Sequence, residues 1–115
     1  MNEIYGHIQY KGEDYKVALN LNVWQKLQEE YGTYNHWMEI TTGAEVEPDI
    51  KAVIFGIKEM LNEGIDIDNE ELGTNRPFFT EKQIGRLLTE LGLNNVIRVM
   101  EETAIRSSNT GEGNA

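Results

Sequence analysis

The sequence predicts an α+β fold: one predominantly helical domain, with an N-terminal β-hairpin packed on about four to five helices. Three observations carry this. Residues 4–21 alternate apolar and polar side chains with a period of two around a glycine. From residue 23 onward the apolar residues recur at helical spacing. Glycines or small polar residues punctuate those helical runs.

The first strand, within residues 4–10, places Ile4, Ile8 and Tyr10 on one face with Gly6 between them, and Tyr5, His7 and Gln9 on the other. In the second, residues 15–21, Tyr15, Val17, Leu19 and Leu21 alternate with Lys16, Ala18 and Asn20. Lys11-Gly12-Glu13-Asp14 supplies a glycine for a positive-φ turn position, which makes a hairpin over residues 4–21 the economical reading. An isolated hairpin is marginally stable, so its apolar face is expected to pack on the helices.

Asn22, with Gln25 three residues on, reads as a capping box opening a helix over residues 23–31. Val23, Trp24, Leu27 and Tyr31 share its apolar face, and Gly32 ends it. Thr33 caps a short helix over residues 34–40 that buries Trp37 and Ile40. Pro48 suits the first turn of a third helix, residues 48–63, with Asp49 near the positive end of its dipole. Ile50, Val53, Ile54, Ile57, Met60 and Leu61 make this the strongest amphipathic run, with Ile54 expected at the centre of the buried stripe and Gly64 as its stop. Residues 65–79 read as an acidic, irregular loop. Thr80-Glu81-Lys82-Gln83 is a second capping box, opening a helix over residues 81–91 that turns Ile84, Leu87, Leu88 and Leu91 inward and closes at Gly92. A last helix, residues 95–106, carries Val96, Ile97, Met100 and either Ala104 or Ile105 on its apolar side. The globular domain is thus read as residues 1–106, and residues 107–115 (SSNTGEGNA) as a flexible tail without apolar anchors.

Composition narrows the function. With 115 residues, 39% hydrophobic, the chain has room for one modest core. Zero cysteines exclude a disulfide framework, a thiolate metal site and a cysteine nucleophile, and fit a reducing cytoplasm. MNEIYGHIQY has no basic region followed by an apolar one, so it does not read as a signal peptide, and no apolar run approaches a membrane span. The net charge is −10, and residues 44–72 hold nine acidic side chains against two lysines. So acidic a surface repels phosphate backbones and anionic lipid, so neither nucleic acid nor membrane is expected as a partner. That stretch reads first as a solubilising face and second as a docking surface for a basic partner. No repeat is visible that would indicate a solenoid.

No constellation for chemistry emerges. Asp66-Ile67-Asp68-Asn69-Glu70-Glu71 superficially resembles a calcium loop, but Glu71 stands where that loop needs glycine and Pro77 where it needs glutamate. His7 lacks a metal-ligand partner at helical spacing, and the His36/Glu39 pair is of a kind common by chance. No phosphate-binding loop, dinucleotide fingerprint or nucleophile elbow occurs. The reading is therefore non-enzymatic, with no catalytic, cofactor-binding or metal residues. Tryptophan is enriched at binding hot spots, but in so small a domain at least one of Trp24 and Trp37 is expected in the core, Trp24 first. Tyr5, Tyr34 and Trp37 are the candidate partner-binding residues.

The ordered part of the chain resembles the tail assembly chaperones of long-tailed bacteriophages and related prophages. The residues that carry the likeness are the Tyr10-Lys11-Gly12-Glu13-Asp14-Tyr15 hairpin, the Leu27-Gln28-Glu29-Glu30-Tyr31-Gly32 helix end, the amphipathic helix of residues 50–61, Thr80-Glu81-Lys82-Gln83-Ile84-Gly85, and the helix of residues 96–100. In order they match a G-x-x-Y strand turn, a helix ending in acid, aromatic and glycine, and a later T-x-E/K-x-hydrophobic-G helix start. These motifs are structural and loose; none is a catalytic fingerprint. The resemblance implies a protein without cofactors that binds the tape measure protein in the host cytoplasm and keeps it soluble for tail-tube assembly. It also implies absence from the mature virion, and contact with the tail-tube protein through a frameshifted extension following the tail. It leaves a homo-oligomer open. The alternatives are a small phage or prophage regulator that binds a host protein, and a structural tail or head-completion protein.

Overall fold

The computed structural model describes residues 4–43 and 47–112, the last four as backbone. Glu45, one of the acids counted above, and residues 113–115 of the expected tail lie outside the described residues. The elements are β1 (Gly6–Tyr10), β2 (Glu13–Val17), α1 (Leu21–Tyr31), α2 (Tyr34–Thr42), α3 (Ile50–Leu72), α4 (Glu81–Leu91) and α5 (Leu93–Glu112). The fold is α+β, a two-stranded antiparallel hairpin followed by five helices.

The hairpin is tighter than its sequence pattern. Tyr10 pairs directly with Glu13, leaving Lys11 and Gly12 as a two-residue turn with φ of 52° and 78°. Positive φ at both central positions gives the twist that suits flanking strands. Gly6, Ile8 and Tyr10 are buried along β1, while His7 and Gln9 both bond to Asp14 on the outer face, at 2.9 and 3.0 Å. Beyond Val17 the chain leaves the ladder, because the Ala18 amide donates to the Met60 carbonyl of α3 instead (3.1 Å).

α3 is the central element. Val53, Ile57, Met60, Leu61 and Ile65 are at most 1% exposed and pack against the hairpin, α1 and α4. Three expectations for α3 are corrected. Pro48 precedes the helix, whose N-cap is Asp49, with its carboxylate accepting from the Ala52 amide at 3.1 Å. Gly64 does not stop the helix. It lies buried inside it, where a side chain would meet the Lys16 carbonyl of the hairpin, so glycine is needed here for close approach. The helix runs on to Leu72 and ends at Gly73, in the left-handed conformation (φ 68°, ψ 23°). Residues 66–71, read as loop, are therefore helical. Finally, Ile54 is only half-buried, and the stripe centres on Val53 and Ile57.

Helix starts are set by local caps. Asn20 caps α1, two residues before the expected Asn22, and accepts from the Val23 amide at 3.3 Å. The Asn22 side chain instead donates to Glu63 (3.1 Å), as Asn20 does (2.7 Å). α4 carries the reciprocal capping box of Thr80 and Gln83 and occupies the predicted residues. α5 extends past the expected end at 106, because the Ser107 hydroxyl bonds back to the Thr103 and Ala104 carbonyls rather than opening a tail. Ala104 is half-buried on α5 and Ile105 is 59% exposed, which decides between them.

The eight residues between α3 and α4 strap the hairpin down. Asn69 brackets Arg76, donating to its carbonyl (3.1 Å) and accepting from its amide (3.0 Å). Asn62 brackets Phe79 in the same way. Arg76 then reaches Glu13 at 2.7 Å and lies over the Tyr15 ring at 4.4 Å, while Phe79 meets Tyr15 edge-on at 5.1 Å.

Lys16 ties β2 to the acidic half of α3, 3.0 Å from Asp68 and 3.9 Å from Glu71. Partial burial by itself would lower its pKa; the hydrogen bond and charge of Asp68, with Glu71 and Tyr5, more than offset that and hold it above the usual lysine value. The stability Lys16 contributes is thus fully present below its unfolded pKa, about 10.4, and is lost as pH rises through the higher folded value. Burial raises Tyr31 and Tyr34 too, and they act in the same direction. Lys16→Met should therefore flatten, without abolishing, the fall in melting temperature between pH 9 and 11; an unchanged slope would mean that the pair contributes nothing.

Candidate functional site

The C-terminal end of α1 and the length of α4 flank the first two turns of α3 without closing over them. The result is an open groove of about 1290 Å³. Its floor is Tyr31, Ile50, Ile54 and Phe55, with Gly85 of α4 facing them. Ile50 is 48% exposed, and Tyr31 meets Phe55 edge-on at 5.6 Å. The Tyr31 hydroxyl pKa is raised, first by burial and then by the charges of Asp49, Glu30 and Glu81. That phenol stays neutral and able to donate at physiological pH.

The groove explains why Ile54 is not core. Apolar side chains at 50, 53, 54, 57, 60 and 61 span more than one face of α3. Val53, Ile57, Met60 and Leu61 fill the inward face, while Ile50 and Ile54, one turn apart, look into the groove.

Charged groups of both signs fringe this floor: Glu30, Glu81 and Glu90, and Lys51, Lys82 and Arg86. Among the described residues none of the six makes an ion pair within the chain. Gly85 is the second unusual feature. It lies inside a regular helix, its φ is not positive, and a side chain there would meet nothing within 4 Å. A glycine in a helix interior costs about 1 kcal/mol relative to alanine, and nothing in the chain's own packing calls for it here.

The candidate partner-binding residues of the sequence do not gather at this groove. Tyr5 is half-buried in the hairpin, with the Lys16 ammonium 4.5 Å from its ring centre. Tyr34 is half-buried on α2, stacked on Trp24 at 4.3 Å and tilted 39° to Trp37. Trp37 is 1% exposed, so it leaves the partner-binding set. Its indole lies over Gly56 and donates to the Ala52 carbonyl at 3.0 Å. The expectation of Trp24 in the core is also corrected: at 36% exposed, it forms the outer step of a ladder descending through Tyr34 to Trp37. α1 turns Val23 and Leu27 inward, which places position 24 on its flank.

No family model, curated protein or solved structure matches the chain. Among the described residues there is no cluster of three or more side chains able to hold a metal ion, and no helix is long and apolar enough to cross a membrane. The groove was not legible as a site in the sequence, because it arises from the spacing of α1 and α4 across α3. Two local signals pointed to it: surplus isoleucines at 50 and 54, and a glycine in mid-helix at 85.

Proposed function

We propose that this protein is a tail assembly chaperone, a non-enzymatic holdase that binds the tape measure protein of a long-tailed phage or prophage. The observation that carries the reading is the open, apolar-floored groove, whose volume of about 1290 Å³ exceeds the roughly 300–1,000 Å³ of ordinary small-molecule sites. A polypeptide segment suits it better than a metabolite. The order of turn, helix-end and helix-start motifs along the sequence supplies the family and hence the client. The net charge of −10 agrees with a carrier that must keep an aggregation-prone partner in solution. On this reading it acts in the host cytoplasm and is left out of the finished particle.

Co-expression with a cognate tape measure protein should raise the soluble fraction of that protein, and the two should co-purify. Apolar contacts would supply most of the affinity, so the complex should persist at moderate salt, where exposed ion pairs are screened. A tape measure protein that stays insoluble beside this chain, or the chain found in stoichiometric amounts in purified particles, would overturn the reading in favour of a regulator or a structural tail component.

A further inference from the structure

We infer that the groove between α1, α3 and α4 seats one amphipathic helix of another protein, about three turns long, pressed against Gly85 and carrying charges of both signs along its flanks. The inference rests on the chaperone reading for the identity of the client alone.

Size sets the class of occupant. α4, which lines the groove from Glu81 to Glu90, is 11 residues or about three turns long, and a helix lying along it would be of the same length. That wall is itself a helix, so an occupant helix beside it would pack over Ile54 and Phe55, using the ridge-and-groove packing by which helices ordinarily meet.

Gly85 sets the distance. Packing within the chain does not require a glycine there, and helix propensity opposes it. A missing side chain on the wall of an apolar groove lets another backbone come close, which is the use glycine has wherever two main chains must approach. The same chain shows that use at Gly64, whose neighbour is the Lys16 carbonyl; at Gly85 the corresponding neighbour would come from the partner.

The rim sets the partner's chemistry. Glu30, Glu81 and Glu90 ask for basic residues on the incoming helix, and Lys51, Lys82 and Arg86 for acidic ones. The net charge of −10 tips that balance toward a basic excess. It also disfavours a second copy as the occupant, since a dimer would bring together two chains of net charge −10 each.

The test has two arms, both on the full chain. In the first, a synthetic peptide of about 12 residues is held helical by an i,i+4 staple, with leucines at i, i+3, i+4 and i+7 and both lysine and glutamate on its flanks. It is titrated into the isotope-labelled protein and followed by NMR. Shifts should cluster at Tyr31, Ile54, Phe55 and Gly85. Gly85→Leu should weaken binding by about tenfold or more. Its melting temperature should not fall, and that of Gly85→Ala should rise by a few degrees. No binding, equal binding by Gly85→Leu, or shifts centred on Trp24 and Tyr34 would overturn the assignment. In the second arm, wild type and Gly85→Leu are co-expressed with the tape measure protein. Capture by the wild type alone places the client in the groove. Capture by both refutes the groove and leaves the chaperone reading standing. Capture by neither, with the peptide still bound at Gly85, refutes that client and leaves the groove.

Discussion

Replacing Trp37 by alanine should destabilise the fold by about 3–5 kcal/mol, the range for emptying a large aromatic site. The side chain is 1% exposed, lies against Gly56 of α3 and satisfies its indole N–H on the Ala52 carbonyl at 3.0 Å. It is thus the wedge between α2 and α3. A domain of this size has total stability of about 5–15 kcal/mol, so the variant should stand near the edge of folding. Trp24→Ala removes the same side chain from a site 36% exposed, where it mainly loses a stacked neighbour, Tyr34. Its effect should be about 1 kcal/mol. Urea denaturation of both variants measures the difference. Similar midpoints would mean that the two tryptophans have been assigned to the wrong sides of the surface.

Gly64→Ala should be the most damaging single-methyl change in the chain, at about 3 kcal/mol. The added carbon would run into the Lys16 carbonyl, a backbone atom held in place by β2 on one side and by the Ala18–Met60 hydrogen bond on the other. Neither main chain can yield as a flexible side chain would. The hairpin must lift off α3, taking with it the buried Val17 and Ala18 and the Lys16–Asp68 pair. Helix propensity works the other way, favouring alanine by about 1 kcal/mol, so a net loss isolates the packing effect. Hydrogen exchange at the Ala18 amide should rise together with the loss of melting temperature. A stability equal to or above wild type would show that the strand end can move aside freely.

The same two residues show where the sequence could be read and where it could not. The hairpin was legible because period-two alternation and a turn glycine are local, and α4 because Thr80 and Gln83 announce its first turn. α3 reads nine residues too short in the sequence, ending at 63 rather than 72, because a glycine before an acidic run looks like punctuation. Only the strand lying across Gly64 reveals it as a point of contact. The acidic run is helical for equally distant reasons: Asp68 answers Lys16, and Asn69 holds Arg76. Trp24 and Trp37 both sit at helical positions among apolar residues, and only the arrangement of α1 against α2 sorts one outward and the other inward. The groove was the least legible of all, since its floor, its two walls and its charged rim come from three separate stretches of chain.

The meeting of β1 with α5 bears on the order in which the molecule is made and assembled. Arg106 donates to the Tyr5 carbonyl at 2.9 Å across a separation of 101 residues, and Gly6 rests against Thr103. Ribosomal synthesis releases the hairpin well before α5. Until α5 emerges, therefore, the hairpin lacks one of its supports, and a bare hairpin is barely stable. Joining points so far apart carries the entropy of closing almost the whole chain into a ring, which slows folding more than it weakens the product. The hairpin, made before the helices, is thus among the last parts to settle, and α5 acts as the clasp that completes the fold.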